Sequence, residues 1–526
     1  MRNRQAYLIL ALAVVVGLAL RAGIVSGRTT LSFDGTFSYL EAAGREGDYE
    51  VVTEAGSELP PYGEWVSARQ WQQFLVARTD FRPREMARDV ATLNIHLPGY
   101  FWLLHFASRI LGMHVWTGPA LNTLIDLLTI FVIFAAARTV LDDPRWAAVA
   151  ALVWAVSPAP LESTRMARQY SLLACVSVLF AWRFVHIIRT GQAARWRAYA
   201  ALTLVVFVGA LSHMFFGICI MAGLVVAIQR HNRWVLGRFA LSTLAGVIPA
   251  IAVDPWIVPL ILGGNPNKVP VTLRGFQNRI LKVGFHLFDL LGNTIVGNVI
   301  LAAVAIVCIV VIFRRYPPGE RLRTLIRQIR GPEPNPFLLM SLVVFFTLGG
   351  LYIAFLIPYH ATGPRYLSAV WPLMAIGVVV PLRSVRWRRW LIPTLLVFAL
   401  LNSLWQIYAF SRMQAEHQAL ADRAKKYDYL LVDQMRSGTF LGLMHEVDPD
   451  TQVYAARPQD LLARVDEWEP TLLEAEGPKA YASNVFRFTS YEDRAAIREL
   501  LLERGWKVPE EGTRSLPTWR LFELER

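Results

Sequence analysis

Residues 96–113 of this 526-residue chain read HLPGYFWLLHFASRILGM, and the status of that segment decides the topology of everything around it. It is apolar, yet it carries His96, His105 and Arg109 and opens on Pro98-Gly99. A helix needs about 20 apolar residues to cross a bilayer core. Eleven other segments approach that standard, at about 6–26, 116–139, 145–160, 169–188, 198–211, 213–229, 238–262, 292–313, 336–358, 366–383 and 390–410. Basic clusters lie at Arg2/Arg4, Arg138–Arg145, Arg189–Arg197, Arg230–Arg238, Arg314–Arg330 and Arg383–Arg389. If 96–113 does not cross, all of them share one side with the N-terminus, as the positive-inside rule demands. If it does cross, every cluster after the first moves outside. The segment therefore reads as a juxtamembrane or re-entrant helix on the outer face.

Composition agrees. Hydrophobic residues make up 54% of the chain and charged residues 18%, against about 25% charged in a soluble domain. An ordinary cytosolic enzyme is not expected, and a disordered or fibrous chain is excluded by the apolar content. The net charge of +13 is a sum of unlike parts. Residues 28–95 hold 7 basic and 11 acidic side chains, residues 412–526 hold 16 and 21, and the remainder holds 30 and 8. The positive charge thus sits at the cytoplasmic ends of helices, beside anionic membrane lipids, and nucleic acid is not the expected partner. Cys175, Cys219 and Cys308 all lie in apolar runs and read as buried small hydrophobes. MRNR before the first apolar run resembles a signal peptide, but no good small-x-small cleavage site follows, so the segment reads as an uncleaved span.

Residues 1–411 then form a polytopic α-helical membrane domain of about 11 transmembrane helices with a long outer loop, 28–95. In that loop Phe33–Gly44 and Glu64–Arg78 read as amphipathic helices. A second outer loop, about 263–291, continues as an amphipathic run with Arg274, Arg279 and Lys282. Residues 412–526 have a soluble composition: YDYLLVD (427–433), TQVYAA (451–456) and WRLFELE read as strands, ASNVFRFTS (482–490) as a strand or loop, and 491–505 as an amphipathic helix stopped by Gly505. Strands alternating with helices predict a small α/β extracytoplasmic domain.

Few polar residues break the membrane part. Asp126, Glu162, Asp254 and Asp289 lie in or near lipid depth, where ionisable groups are functional candidates by default. Asp34, in LSFDGTFSYLEAA just beyond the first span, has two readings: an ionised proton acceptor in a surface cavity, or a helix N-cap. Arg165 and Arg168 are spaced i, i+3, so on a helix they face one way. They read as a phosphate-binding pair or as side chains reaching for headgroups. His96, His213, His360 and Arg365-Tyr366 also fall at the outer face. No HExxH, Cys/His zinc spacing, P-loop or GxSxG motif is present.

Taken in order, these pieces resemble the GT-C glycosyltransferases, in the branch of the protein O-mannosyltransferases and the lipid A aminoarabinose transferase. That family has an Asp, usually followed by Glu, soon after the first span, similar to Phe33-Asp34-Gly35. A His-Pro-Pro-Leu-type motif before a juxtamembrane helix resembles His96-Leu97-Pro98-Gly99-Tyr100. A span ending in Ser-Pro is similar to Ser157-Pro158, and an Arg-x-Tyr-x-Leu turn to Arg168-Gln169-Tyr170-Ser171-Leu172. A late Arg-Tyr with a following Pro resembles Arg365-Tyr366 and Pro372. Two departures stand out: Gly35 replaces the usual second acid, and Leu97 the first Pro.

The resemblance implies a sugar donor on a polyprenyl monophosphate and an inverting transfer to an acceptor hydroxyl of a glycan, lipid or protein. It implies Asp34 as general base, and Arg165, Arg168 and Arg365 as cations on the leaving phosphate. His96, His213, Tyr170 and Tyr366 would position sugar or phosphate. A phosphate monoester leaving group, with a second pKa near about 6, needs little protonation. No metal site is implied, and a divalent cation, magnesium or manganese, stays open because of Gly35. Two other classes make different predictions. A lipid-linked sugar flippase or other transporter would string polar residues through the bilayer midplane. A non-catalytic scaffold would not gather Asp, Arg and His at one mouth. Compact loops and the lack of eukaryotic sorting signals point to a bacterial inner membrane, with the N-terminus cytoplasmic.

Overall fold

The computed structural model describes the chain apart from residues 1, 54–60, 95, 191–194, 230–231, 263–271, 273, 275–276, 279–285, 287, 293–296, 302–334, 355–363, 384–387, 436, 485–489 and 517–518. Most of the span expected at 292–313, much of the second outer loop, and His360 lie outside the described residues.

Long apolar runs make long helices, two of them with a proline inside, Pro249 and Pro393. Among the described residues five helices are long and apolar enough to cross a membrane: Asn3–Ser26, Thr117–Leu141, Tyr170–Arg189, Arg233–Val253 and Arg389–Ala424. Shorter apolar helices cover Pro144–Val156, Trp196–Ser212, Phe216–Gln229, Pro336–Leu348 and Trp371–Val380. The segment 96–113 contains a helix of only 13 residues, Gly99–Leu111, too short to span.

Two expected spans are interrupted, and in both the cause is a proline. The run 145–160 splits into Pro144–Val156 and Pro158–Thr164, because Ser157, preceding Pro158, is driven to extended backbone (φ −73°, ψ 137°). The carbonyl of Val156 freed by the break accepts from Ser403 Oγ at 2.7 Å. The run 238–262 splits at Asp254-Pro255 into Arg233–Val253 and Ile257–Leu262. Asp254 turns back to accept from the Trp256 N–H at 3.2 Å.

One buried ion pair fixes the helices that carry the site. Arg21, on the first helix, donates through Nε to Asp126 Oδ2 at 3.2 Å, and both side chains are sealed from solvent. Arg21 Nη1 also donates to the carbonyls of Gly17 (3.2 Å) and Ala155 (3.1 Å). Thr164 Oγ1 donates to the same Asp126 oxygen at 2.6 Å. A polar group here would be costly if left alone, so this cluster ties three helices and the Pro158–Thr164 turn together. Arg21→Ala should therefore cost about 3–5 kcal/mol, because it strands a buried carboxylate. Thermal unfolding in detergent should show the loss, and the double variant Arg21→Ala/Asp126→Ala should recover part of it. Equal melting of wild type and Arg21→Ala would remove the pair from the stabilising set.

The last apolar run does not stop at 410. It continues as one helix, Arg388–Ala424, through the change of composition at 412. Gln414 on this helix holds the start of the first loop, its Oε1 accepting from the Thr29 and Thr30 N–H groups at 3.0 Å each. Beyond the helix comes a six-stranded sheet of order β1-β3-β2-β4-β6-β5. Its strands are β1 (Trp65–Ser67), β2 (Tyr429–Val432), β3 (Gln452–Ala455), β4 (Lys479–Asn484), β5 (Thr513–Leu516) and β6 (Trp519–Glu523). β3, β2 and β4 are parallel, while β1 and β6 run antiparallel to their neighbours.

β1 corrects the expectation of an amphipathic helix over Glu64–Arg78. Trp65-Val66-Ser67 instead adds a strand to the sheet edge, pairing Trp65 with Tyr454 and Val66 with Val453, before the short helix Ala68–Gln72. Pairing with a distant edge overrides the helical periodicity, which local sequence cannot report. The first loop and the C-terminal strands thus share one sheet.

Candidate active site

Ser32 lies extended (φ −88°, ψ 161°) and its Oγ accepts from the Gly35 N–H at 3.1 Å, so Ser32 caps the helix Phe33–Ala43. This overturns the capping alternative for Asp34. Asp34 sits inside the first turn with its carboxylate free to face other elements. The helix ends at Gly44, whose φ of +68° suits glycine.

The second element is the turn after Pro158–Thr164. Residues 165–169 are not helical, which corrects the expectation that Arg165 and Arg168 face one way. Asn122 Nδ2 donates to the carbonyls of Ser163 (3.3 Å) and Met166 (2.5 Å), absorbing the groups that a continuing helix would have paired. Gly118 allows the turn to approach: a Cβ there would lie 2.4 Å from that of Ala167. Arg165 consequently swings away. It pairs with Glu162 Oε1 at 2.5 Å and lies over the Phe410 ring, beside Arg28. Arg168 swings inward.

The third element is the short 3-10 turn Pro364–Leu367, which brings in Arg365 and Tyr366. Asp34 now has a guanidinium on each oxygen: Arg168 Nη2 at 3.4 Å from Oδ1 and Arg365 Nη1 at 2.5 Å from Oδ2. Arg365 also lies over the rings of Tyr170 (5.7 Å) and Tyr366 (5.3 Å), and Met166 Sδ is 3.3 Å from its Nη1. Tyr170 in turn meets Tyr366 edge-on and His213 at 5.8 Å each. His96 joins through Gln169, whose Nε2 is 3.3 Å from His96 Nδ1. Of the eight residues to which the resemblance gives a role at the site, seven converge and Arg165 does not.

Burial works against the charge on Asp34, but Arg168 and Arg365 outweigh it and hold the carboxyl below its usual range. Burial, with Arg168 adding to it, holds His96 well below the ordinary histidine value, and burial pulls His213 down to about 4. Both rings are therefore neutral near pH 7, and the positive charge at the site comes from the arginines. Their donors are not all used: among the described residues Arg365 Nε and Arg168 Nη1 are buried without a hydrogen-bond acceptor. The arrangement can bind an oxyanion and present a carboxylate to a hydroxyl.

Sequence reasoning missed Glu41, seven residues beyond Asp34 and so on the same helix face. Its Oε2 lies 3.7 Å from Arg168 Nη1, and burial pushes its carboxyl up to about 8, against the opposing charge of Arg168. The spacing 34/41 was a readable signal. Arg28 was missed as well: a Cβ on Gly35 would lie 3.5 Å from its Nη2, so the position without the usual second acid faces this arginine. The acids of the apolar segments have structural partners instead: Asp126 with Arg21, Glu162 with Arg165, and Asp289 with Asn298 Nδ2 at 2.6 Å. Among the described residues no three His, Cys, Asp or Glu side chains converge as metal ligands.

The sequence profile of the dolichyl-phosphate-mannose-protein mannosyltransferase family matches residues 95–258. No curated protein matches the chain. Two crystal structures of ArnT from Cupriavidus metallidurans are similar in fold. The apo form has a TM-score of 0.56 at 14% identity, covering 98% of this chain and 97% of ArnT. The form bound to undecaprenyl phosphate has a TM-score of 0.56 at 15% identity, covering 100% of this chain and 98% of ArnT. The chain thus shares the fold of ArnT, and residues 95–258 resemble the dolichyl-phosphate-mannose-protein mannosyltransferase family.

Proposed function

We propose that the protein is an integral-membrane glycosyltransferase that moves a sugar from a polyprenyl monophosphate to an acceptor hydroxyl, inverting the anomeric carbon. The observation that carries this reading is Asp34 held between Arg168 and Arg365, with the buried Nε of Arg365 left, among the described residues, without a hydrogen-bond acceptor. The mannosyltransferase profile and the fold shared with an undecaprenyl phosphate-binding ArnT support the same donor class. In this reading the chain crosses the inner membrane of a bacterium about eleven times, with the N-terminus in the cytoplasm. Residues 412–526 and the site lie on the outer face. The basic clusters that end the apolar segments support that orientation.

Asp34 takes the proton of the acceptor hydroxyl as its oxygen bonds to the anomeric carbon. The bond from that carbon to the phosphate oxygen breaks on the opposite face, and the lipid leaves as a phosphate monoester dianion. Arg365 and Arg168 face the oxygens on which this charge grows, the situation in which fixed donors contribute most. Tyr170, Tyr366 and the neutral His96 and His213 flank the sugar. Arg165 acts outside this set, steadying the turn through Glu162.

The donor assignment is tested by binding alone. Undecaprenyl phosphate added to the purified protein should raise its melting temperature, since a ligand of the folded state stabilises it by mass action. Undecaprenol, which lacks the phosphate, should not. Equal shifts with both lipids would show tail binding only and would contradict a phosphate site.

A further inference from the structure

The connections of the parallel strands create a second place where a ligand fits. From β2 the chain passes to β3 on one side, then returns across β2 to β4 on the other. Open α/β sheets bind ligands beyond the carboxyl ends of their strands where the strand order reverses in this way. Here that point holds a cavity of about 500 Å³, inside the usual range for small-molecule sites. Asp433, just past the end of β2, lies at its wall. Its carboxylate is fixed by Tyr481 OH and Ser483 Oγ at 2.6 Å each and by the Asn484 N–H at 3.3 Å.

The opposite wall comes from the first loop. Tyr49 donates to the carbonyl of Met435, and Arg457 Nη2 donates to the Thr53 carbonyl at 2.9 Å, so the helix Glu46–Thr53 is clamped across the cavity mouth. Phe37 and Leu40 also line the cavity. They lie on the helix of Asp34, about 5 to 9 Å further along its axis. Polar contacts run at both places: Asp34 to Arg168 and Arg168 to Glu41 at the first, and Asn94 to Glu46, both in the cavity wall, at the second.

The lining selects a ligand class. Glu46, Glu50, Asp433 and Asp493 line the cavity with one arginine, Arg457, and with Gln434 and Gln459. That balance opposes a phosphate or any other anion. Carboxylates and amides suit a ligand with many hydroxyls, and Phe37 and Tyr49 give it flat apolar faces. A peptide would be drawn to a free strand edge, whereas this cavity sits at strand ends.

We infer that the cavity at the carboxyl ends of β2 and β4 binds neutral sugar residues of a glycan acceptor, feeding its terminal hydroxyl toward Asp34. The inference rests on the transferase reading for its direction, while the binding itself can be measured without any transfer. The test is saturation-transfer NMR on the full chain in lipid nanodiscs, with four probes: mannotriose, chitotriose, mannose 6-phosphate and a short Ser/Thr-rich peptide. Transfer to at least one neutral trisaccharide is expected, with none to the phosphosugar or the peptide. Glu50→Ala and Gln459→Ala, both at exposed positions, should each weaken trisaccharide binding about tenfold. No signal from either trisaccharide, binding unchanged in both variants, or capture of the peptide instead would overturn the assignment. Saccharide binding that maps to these residues in a protein with no transfer from any polyprenyl-phosphate sugar would uphold the cavity and refute the transferase reading.

Discussion

Asp34→Asn should insert, fold and bind undecaprenyl phosphate, yet lose transfer by about 10²- to 10⁴-fold, the usual contribution of a positioned general base. The amide matches the carboxylate in shape, and Ser32 rather than Asp34 caps the helix, so the first turn survives. Removing the negative charge leaves Arg168 and Arg365 facing each other, which should if anything favour the anionic lipid. Donor affinity that holds or rises while turnover collapses is thus the signature of a base. A purely structural Asp34 would lose both together.

Arg365→Ala should lower transfer by about 10²- to 10³-fold, the range for deleting one preorganised donor to a developing oxyanion. Unlike Asp34→Asn, it should weaken undecaprenyl phosphate binding as well. It should also move the pH profile. Transfer needs ionised Asp34, and the two arginines hold that carboxyl below its usual range. In wild type the acid limb should therefore lie below the ordinary Asp value of about 3.9, so activity is flat through neutrality and falls only at strongly acidic pH. Taking one guanidinium away raises the Asp34 pKa and shifts the limb upward. Arg168→Ala should shift it in the same direction. An acid limb that stays put in both variants would mean that the titrating group is not Asp34.

Much of this arrangement was legible from residue order, and the exceptions have definable causes. Hydropathy located the helices because lipid imposes one requirement on every residue of a span. The two interrupted segments, at Ser157-Pro158 and Asp254-Pro255, carried their own signal: a proline disfavours a helical backbone at the preceding residue, although Pro249 and Pro393 lie inside helices. Charge asymmetry gave the reading of 96–113, whose helix is indeed short. What failed was anything set by a distant partner. Trp65-Val66-Ser67 becomes a strand only because β3 offers an edge nearly 400 residues away in sequence. Arg165 and Arg168 diverge because Asn122, on another helix, takes up the carbonyls of the turn. The Asp34 capping question turned on a neighbour two residues back, and a Ser followed three residues later by Gly35 could have been weighed. The cavity behind Asp433 depends on strand order, which no local pattern contains.

The most direct test of the central claim is a single reaction followed by its stereochemistry. The purified chain in vesicles is supplied with polyprenyl-monophosphate sugars of known anomeric configuration and with a neutral oligosaccharide acceptor. Released polyprenyl phosphate and the anomeric centre of the product are both recorded, by mass spectrometry and NMR. Polyprenyl phosphate should be released in step with a product of opposite anomeric configuration, both abolished by Asp34→Asn. Movement of the lipid-linked sugar across the bilayer without release of the phosphate, or a product of retained configuration, would contradict the claim.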